Sequence, residues 1–238
     1  MIEPILHVFK LTVELNRHQI LHNVSFDAKE RETIAVIGPN GAGKTTLFRA
    51  LLGLIPYEGA ITWKPGIKIG YVPQKFYISS DLPLTAQEFF ALKEKDPKEI
   101  NRVMSAVRLN TDATTFQKRI MKQKLGLLSG GELQKILIAW ALVGHPDVLL
   151  FDEPTSGIDS SAEGTIYSLL HRLQQEERLT IILISHELQI VYRYATNVIC
   201  LNKQSICFGS PKEVMDKENL QKTFGSDVGF YQHHTQHI

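Results

Sequence analysis

Residues 33–54 read TIAVIGPNGAGKTTLFRALLGL. The stretch has three parts. Thr33 to Ile37 is a run of strand length that is apolar on both faces, the mark of a strand inside a sheet covered on both sides. Gly38 to Thr45, GPNGAGKT, matches the pattern G-x-x-x-x-G-K-[ST]. Leu47, Ala50, Leu51 and Leu54 then recur at helical spacing. Strand, glycine-rich loop and helix in that order are what a phosphate-binding loop requires. Across Gly38, Pro39, Asn40, Gly41, Ala42 and Gly43 the glycines free the backbone to curl its N–H groups around phosphate oxygens without obstruction by Cβ atoms. Lys44 offers a point charge to the β- and γ-phosphates of a nucleotide. The hydroxyl of Thr45, with Thr46 beside it at the helix start, is suited to hold Mg²⁺. A glycine-rich turn also occurs simply to close a βα unit, but Lys and Thr in register and both flanks in place weigh against that reading.

A second acidic centre supports the first. VLLFDEP (148–154) is an apolar strand ending in adjacent carboxylates. Asp152 stands where it can hold Mg²⁺ through water, and Glu153 where it can orient and polarise an attacking water. Two carboxylates at a strand end can be a solvated turn. The apolar run before them places these at the ligand-binding edge of a sheet. A third buried run, TIILISH (180–186), follows.

Helical patterns lie between the runs, so a parallel α/β sheet is expected. Ahead of it, His7 to Leu15 alternates, with Phe9, Leu11, Val13 and Leu15 on one face, and Ile20 to Asp27 reads as its antiparallel neighbour. From Leu84 to Val143 the signals are helical, with Thr85 and Glu88 at capping-box spacing. The charged run KEKDPKE (93–99) reads as a solvated turn. The fold expected is an α/β P-loop NTPase core, a parallel sheet plus an antiparallel N-terminal β subdomain, with an inserted α-helical subdomain. The core would span 1–83 and 144–222, the helical subdomain 84–143, and a polar tail 223–238.

Within the helical part, LLSGGELQK (127–135) opens an amphipathic helix whose face carries Leu133, Ile136, Leu137, Trp140 and Ala141. Ser129 and Glu132 have capping-box spacing, and Gly130 and Gly131 leave the helix mouth bare. Such a mouth suits an anion, which raises the question of which anion it serves.

Composition excludes rather than selects. The hydrophobic content of 43% supports a sizeable core, and a net charge of +1 provides no field for gathering nucleic acid. Cys200 and Cys207 form neither a disulfide framework nor a zinc site by spacing, and read as small apolar residues in neighbouring strands. No signal peptide opens the sequence and no apolar run approaches the ~18 residues of a membrane span. The expected location is the cytosol, or the cytosolic side of a membrane.

GPNGAGKT and VLLFDEP, with LSGGE (128–132) between them, resemble the ATP-binding-cassette ATPases over essentially the whole chain. The resemblance implies ATP and Mg²⁺ as cofactors. It places Gln74, in YVPQK (71–75), at the glutamine that contacts Mg²⁺ and the attacking water and senses a membrane partner. Asp159, in SGID (156–159), falls where that family meets the opposite subunit, and His186 where it holds the γ-phosphate. In that family two copies pair head to tail, each nucleotide lying between one copy's phosphate loop and the other's signature helix. The mouth at Ser129, Gly130, Gly131 and Glu132 would therefore serve the partner copy's γ-phosphate, in a homodimer closed by ATP. Binding closes the pair and hydrolysis opens it.

Two departures stand out. The family stacks adenine on an aromatic residue at the position of Leu15, and leucine has no π face, so weaker base discrimination is expected. In AKERET (28–33) Arg31 occupies a turn where the family commonly has glycine.

One cassette without membrane spans resembles a separate subunit that docks on an integral membrane permease. A coupling surface is expected near Gln74, at Phe76, Tyr77 and Leu82 to Phe90. IGYVPQK, DLPLT and VICLNKQSICFGSPKEV (198–214) are similar to the ATPases of bacterial high-affinity zinc importers. That resemblance implies zinc import from a periplasmic or surface metal-binding protein, at the cytoplasmic face of the inner membrane. His233, His234 and His237 would share a Zn²⁺ were the tail helical, and a polar tail with weak metal affinity is the competing reading. Manganese or iron import is the alternative. A soluble ATPase of this type acting on nucleic acid or ribosomes ranks lower, because no second cassette or coiled-coil arm is present, and no nucleic-acid partner is expected.

Overall fold

The computed structural model describes residues 3–107, 115–153 and 160–225. In chain order the elements begin with β1 (Leu6–Leu15), β2 (His18–Ala28), β3 (Thr33–Ile37), α1 (Lys44–Leu51), β4 (Glu58–Trp63) and β5 (Ile69–Val72). A helical stretch follows: α2 (Ala86–Ala91), α3 (Pro97–Ala106), α4 (Thr115–Lys122) and α5 (Gly130–Leu142). Then come β6 (Val148–Asp152), α6 (Ser160–Glu176), β7 (Thr180–Ile184), α7 (Leu188–Tyr194), β8 (Asn197–Asn202), β9 (Gln204–Gly209), α8 (Pro211–Val214) and α9 (Lys217–Phe224).

The three apolar runs lie side by side. A six-stranded sheet has the order β5-β6-β7-β3-β8-β9, parallel except for β9. Alternate residues of each run enter different cores, as strand geometry demands. Ile34, Val36, Val148, Leu150, Ile182 and Ile184 pack with Leu47, Phe48 and Leu51 of α1 and with the antiparallel sheet β2-β1-β4. Ala35, Ile37, Leu149, Phe151, Ile181 and Leu183 pack on the other face with Phe90, Met104, Ile136 and Tyr167 of the helices. Burial on both sides is why these runs carry no polar alternation.

Several details differ from the sequence reading. In β1 the inward face changes partway. Lys10 has φ 50, and the register with β2 slips between Val8 and Leu11. This β-bulge buries Leu6 and Val8 before it and Leu11 and Val13 after it. Phe9, expected inward, is 49% exposed. Gly59 of β4 lies against the bulge with φ 93, where a Cβ would sit 2.4 Å from the Lys10 carbonyl oxygen.

Helix α5 is buried well beyond one stripe. Ile136, Leu137, Ile138, Ala139, Ala141 and Leu142 are all buried, while Leu133 and Trp140 are half-buried. It packs against both α3 and β5, so more than one face is covered. The charged run at 93–99 is partly helix. Asp96 caps α3 and Pro97 begins it, while Lys93 lies over the Trp140 ring and donates to the Trp140 carbonyl at 3.0 Å.

Cys200 and Cys207 do lie in neighbouring strands, but they are joined by a disulfide, which spacing alone did not indicate. They are direct partners across the β8–β9 ladder, and facing positions bring Cβ atoms close. Arg31 takes φ 64, so the turn keeps the left-handed backbone that glycine would supply. No helix among the described residues is long and apolar enough to cross a membrane.

Candidate functional site

The phosphate loop joins β3 to α1. Gly38 passes so close to β8 that a Cβ would lie 2.0 Å from the Leu201 carbonyl oxygen. Gly43, the N-cap of α1, has φ 96, and a Cβ there would meet Leu21 at 2.5 Å. The loop is tied to β8–β9 by Lys203, whose N–H donates to the Ala42 carbonyl at 3.0 Å. Helix α1 has no side-chain cap and no acidic residue in its first turn, which suits its N-terminal N–H groups to an anion. Lys44 is only 6% exposed, and its Nζ donates to the carbonyls of Gly38 (2.9 Å) and Pro39 (3.0 Å). Burial lowers its pKa, against the pull of Glu153 and Asp152.

Asp152 ends β6 and is buried. Thr45 Oγ1 donates to Asp152 Oδ1 at 3.5 Å. Burial pushes the Asp152 carboxyl up to about 6, with the Thr45 hydrogen bond opposing and the charge of Glu153 adding. A buried carboxylate with incomplete compensation beside a hydroxyl offers hard oxygen donors of the kind that fit Mg²⁺, and Gln74, whose amide donates to the neighbouring Glu153, carries a further carbonyl oxygen at the same strand edge.

Glu153 stands next in the chain, with φ 50. Its Oε1 accepts from Nε2 of His186 at 2.7 Å, and its Oε2 accepts from the Gln74 side-chain amide. Gln74 follows β5, Glu153 follows β6 and His186 follows β7, and these three strands are neighbours. Parallel pairing makes their carboxyl ends coincide, which is where open α/β sheets bind ligands. β3 lies beside β7, so the phosphate loop joins the same edge. The arrangement holds a carboxylate next to a phosphate cradle, with an imidazole and an amide to orient it, as in-line attack on a phosphoryl group requires.

Sequence reading missed the support behind His186. Ser185 is buried, shares a 2.9 Å hydrogen bond with the Tyr167 hydroxyl, and accepts from the Glu187 N–H at 3.1 Å. A serine directly before His186 was the available signal.

Ser129, Gly130, Gly131 and Glu132 form the mouth of α5. A complete capping box is present, with Ser129 Oγ accepting from the Glu132 N–H and Glu132 accepting from Ser129. Arg119 donates to Glu132 at 2.8 Å. Burial raises the Glu132 pKa, but the Ser129 and Arg119 contacts outweigh it and leave a net lowering. A Cβ on Gly131 would meet nothing within 4 Å, so the mouth is open. Among the described residues, no hydrogen bond joins this mouth to the phosphate loop of the same copy. Leu15 is half-buried at the end of β1, packed on the core beneath α1, before a turn at Asn16 (φ 52) and Arg17 (φ 63). Asp159, His233, His234 and His237 lie outside the described residues.

Comparison with known proteins identifies the family. The ABC transporter family model matches residues 21–156. The zinc import ATP-binding protein ZnuC 1 of Hahella chejuensis is 37% identical over 226 residues, covering 94% of this chain and 85% of its own. The zinc import ATP-binding protein ZnuC of Rickettsia bellii is 36% identical over 238 residues, covering 99% and 98%. Among solved structures, a chain of a transporter ascribed to the metal-chelate type of ABC transporters, inward-facing, superposes with TM-score 0.80 at 26% identity, covering 93% of this chain and 89% of that one. With the phosphate loop, the paired carboxylates and the family match in agreement, the chain belongs to the ABC transporter family.

Proposed function

We propose that this chain is the ATP-hydrolysing subunit that powers zinc import through a membrane permease. The observation that carries the ATPase reading is Glu153 held by His186 and Gln74 at the strand edge beside Lys44. The choice of zinc is supported by relatives named as zinc import ATP-binding proteins that match nearly the full chain.

The working unit is a homodimer. The loop from Gly38 to Thr46 binds the phosphates of ATP, and Lys44 leaves its two loop carbonyls to meet them. Thr45, Asp152 and Gln74 would hold Mg²⁺, which would supply charge neutralisation on the phosphates. Glu153 orients the attacking water and His186 contacts the γ-phosphate. From the second copy, Ser129, Gly130, Gly131 and Glu132 close over the nucleotide, with Asp159 at the same junction. Leu15 provides an apolar seat for the base. We assign the helical subdomain to 84–143 and the core to 1–83 and 144–222, a division that the run of helices α2 to α5 between β5 and β6 supports.

The permease-facing surface lies after Gln74, at the cytoplasmic face of the inner membrane. Phe76 and Leu82 are partly exposed and Tyr77 is 85% exposed, whereas Phe89 and Phe90 belong to the core. Phe76 packs on Phe89 at 5.7 Å, and Phe89 stacks on Trp140 of α5 at 5.2 Å. These rings connect the docking segment with the helix that begins at the mouth. A metal-binding protein on the far side would deliver zinc to the permease. His233, His234 and His237 are assigned a zinc-responsive role, tested by deleting 233–238 and finding the zinc response of the ATPase changed. The central experiment is reconstitution with the permease and ATP-driven uptake of zinc against manganese and iron. Uptake of either competitor in preference to zinc would reject the substrate.

A further inference from the structure

Helix α5 carries the mouth at one end; at its other end Lys93 holds the Trp140 carbonyl, and the last carbonyl is taken by a side chain from α3. Arg102 donates from Nη2 to the Leu142 carbonyl, the last residue of α5, at 2.9 Å. The same guanidinium makes a two-pronged pair with Glu99, Nε to Oε2 and Nη2 to Oε1, each 2.8 Å. Its Nη1 reaches Glu177, beyond α6, at 3.0 Å. Glu99 in turn accepts from the Gly144 N–H at 3.2 Å, and His145 approaches it at 3.5 Å. Both Arg102 and Glu99 are largely buried, at 26% and 14% side-chain exposure. A second guanidinium, Arg172 of α6, donates to the Ala106 carbonyl at the far end of α3 at 2.6 Å.

We propose that Arg102, braced by Glu99 and Glu177, is a positioning residue for the phosphate-closing mouth at Ser129–Gly131. It joins three parts of the chain: α3, the end of α5, and the turn after α6 that leads into β7. A cation at the carboxyl end of α5 also complements the helix dipole. The geometry amplifies small errors. The 13 residues of α5 span roughly 20 Å at about 1.5 Å per residue, so a tilt of about 10° at Leu142 moves the mouth by about 3 Å. That displacement is as large as a hydrogen-bond length, so N–H groups aimed at a phosphate would miss it. Arginine is required because one planar fork serves Leu142, Glu99 and Glu177 together, which a lysine ammonium cannot reproduce.

The inference rests on the two-copy reading of the site, and the test separates the two. Arg102→Met and Arg102→Lys are made in the full chain, with Glu177→Gln as a milder variant and Val103→Ala as a control that destabilises α3 without touching the clamp. Val103 is fully buried. Three quantities are read: ATP affinity of the dilute monomer, ATP-driven dimerisation in a Glu153→Gln background, and kcat. Arg102→Met is expected to leave monomer affinity within about twofold while lowering kcat and dimerisation about tenfold, near the worth of one charge-assisted hydrogen bond lost at the displaced mouth. Glu177→Gln should show a smaller loss of the same kind, and Arg102→Lys an incomplete rescue. Val103→Ala, at a matched fall in Tm, should retain dimerisation. If it loses dimerisation as Arg102→Met does, or if Arg102→Lys restores the wild-type values, the positioning role is overturned. If the wild-type chain hydrolyses ATP independently of protein concentration, the two-copy reading itself fails and the clamp has no mouth to position.

Discussion

The imidazole Nε2 of His186 lies 2.7 Å from Oε1 of Glu153, across two neighbouring strand ends. Gln74 occupies the other carboxylate oxygen. In this state Glu153 is held by both groups that would have to release or share it when a water and a phosphate arrive. Glu153→Gln is therefore expected to lower phosphate release by about 10²–10⁴-fold, the usual loss on removing a general base. ATP binding should persist and a nucleotide-bound dimer accumulate. Phosphate release and light scattering read the two effects, and full turnover by the variant would displace Glu153 from the reaction.

Ser129 is exposed and, among the described residues, its side chain bonds within the local capping box. Ser129→Arg should leave ATP affinity of the dilute monomer nearly intact and abolish dimer closure. The lost cap costs about 1 kcal/mol of helix stability, too little to unfold the domain. Cooperative turnover retained by this variant would contradict a nucleotide shared between two copies.

Arg31 holds φ 64 and is fixed through backbone groups, its N–H donating to Thr180 Oγ1 at 2.9 Å and its carbonyl accepting from Gln174. Glycine keeps both bonds and removes the Cβ strain of the left-handed region. Arg31→Gly should raise unfolding stability by up to about 1 kcal/mol, less the extra entropy of glycine in the unfolded chain. Urea denaturation checks the sign, and a clear loss would show that the Arg31 side chain matters.

Glu99 is held at about 2, below its usual 4.5, chiefly by the Arg102 hydrogen bonds, with burial opposing and Gly144, the Arg102 charge and His145 assisting. Between these two values the unfolded chain binds more protons than the folded one. The contribution of Glu99 is thus complete above about pH 4.5 and is lost as pH falls toward 2. Glu99→Gln should reduce stability at neutral pH and flatten this acid limb. An unchanged slope in denaturation midpoints between pH 5 and 3 would refute it.

Leu15 supplies apolar packing but no ring face at the end of β1. GTP should compete with ATP, and Leu15→Tyr should widen the preference for ATP by up to about tenfold, the worth of one aromatic stacking contact. Competitive binding with a fluorescent nucleotide measures both. A large ATP preference in the unaltered chain would mean that another contact reads the base.

Much of the site was legible because its signals are local. Glycines at Gly38, Gly41 and Gly43 prescribe a backbone path, and Lys44 and Thr45 follow it by covalent connection. The capping boxes at Thr85–Glu88 and Ser129–Glu132 span one helical turn and formed as spacing required. The face of β1 was misread because a bulge at Lys10 depends on Gly59, far along the chain. The Cys200–Cys207 bond escaped because it needs the register of two strands, which spacing does not supply.

Sequence alone determined the apolar strand runs, the phosphate loop and the bare helix mouth, since each arises from residue types within one short segment. Only the tertiary structure decided that Gln74 and His186 bracket Glu153, that Tyr167 steadies Ser185, and that Arg102 clamps the end of α5. Those contacts join residues far apart in the chain. Their existence depends on strand order and helix packing, which cooperative burial of the two cores selects and no local pattern encodes.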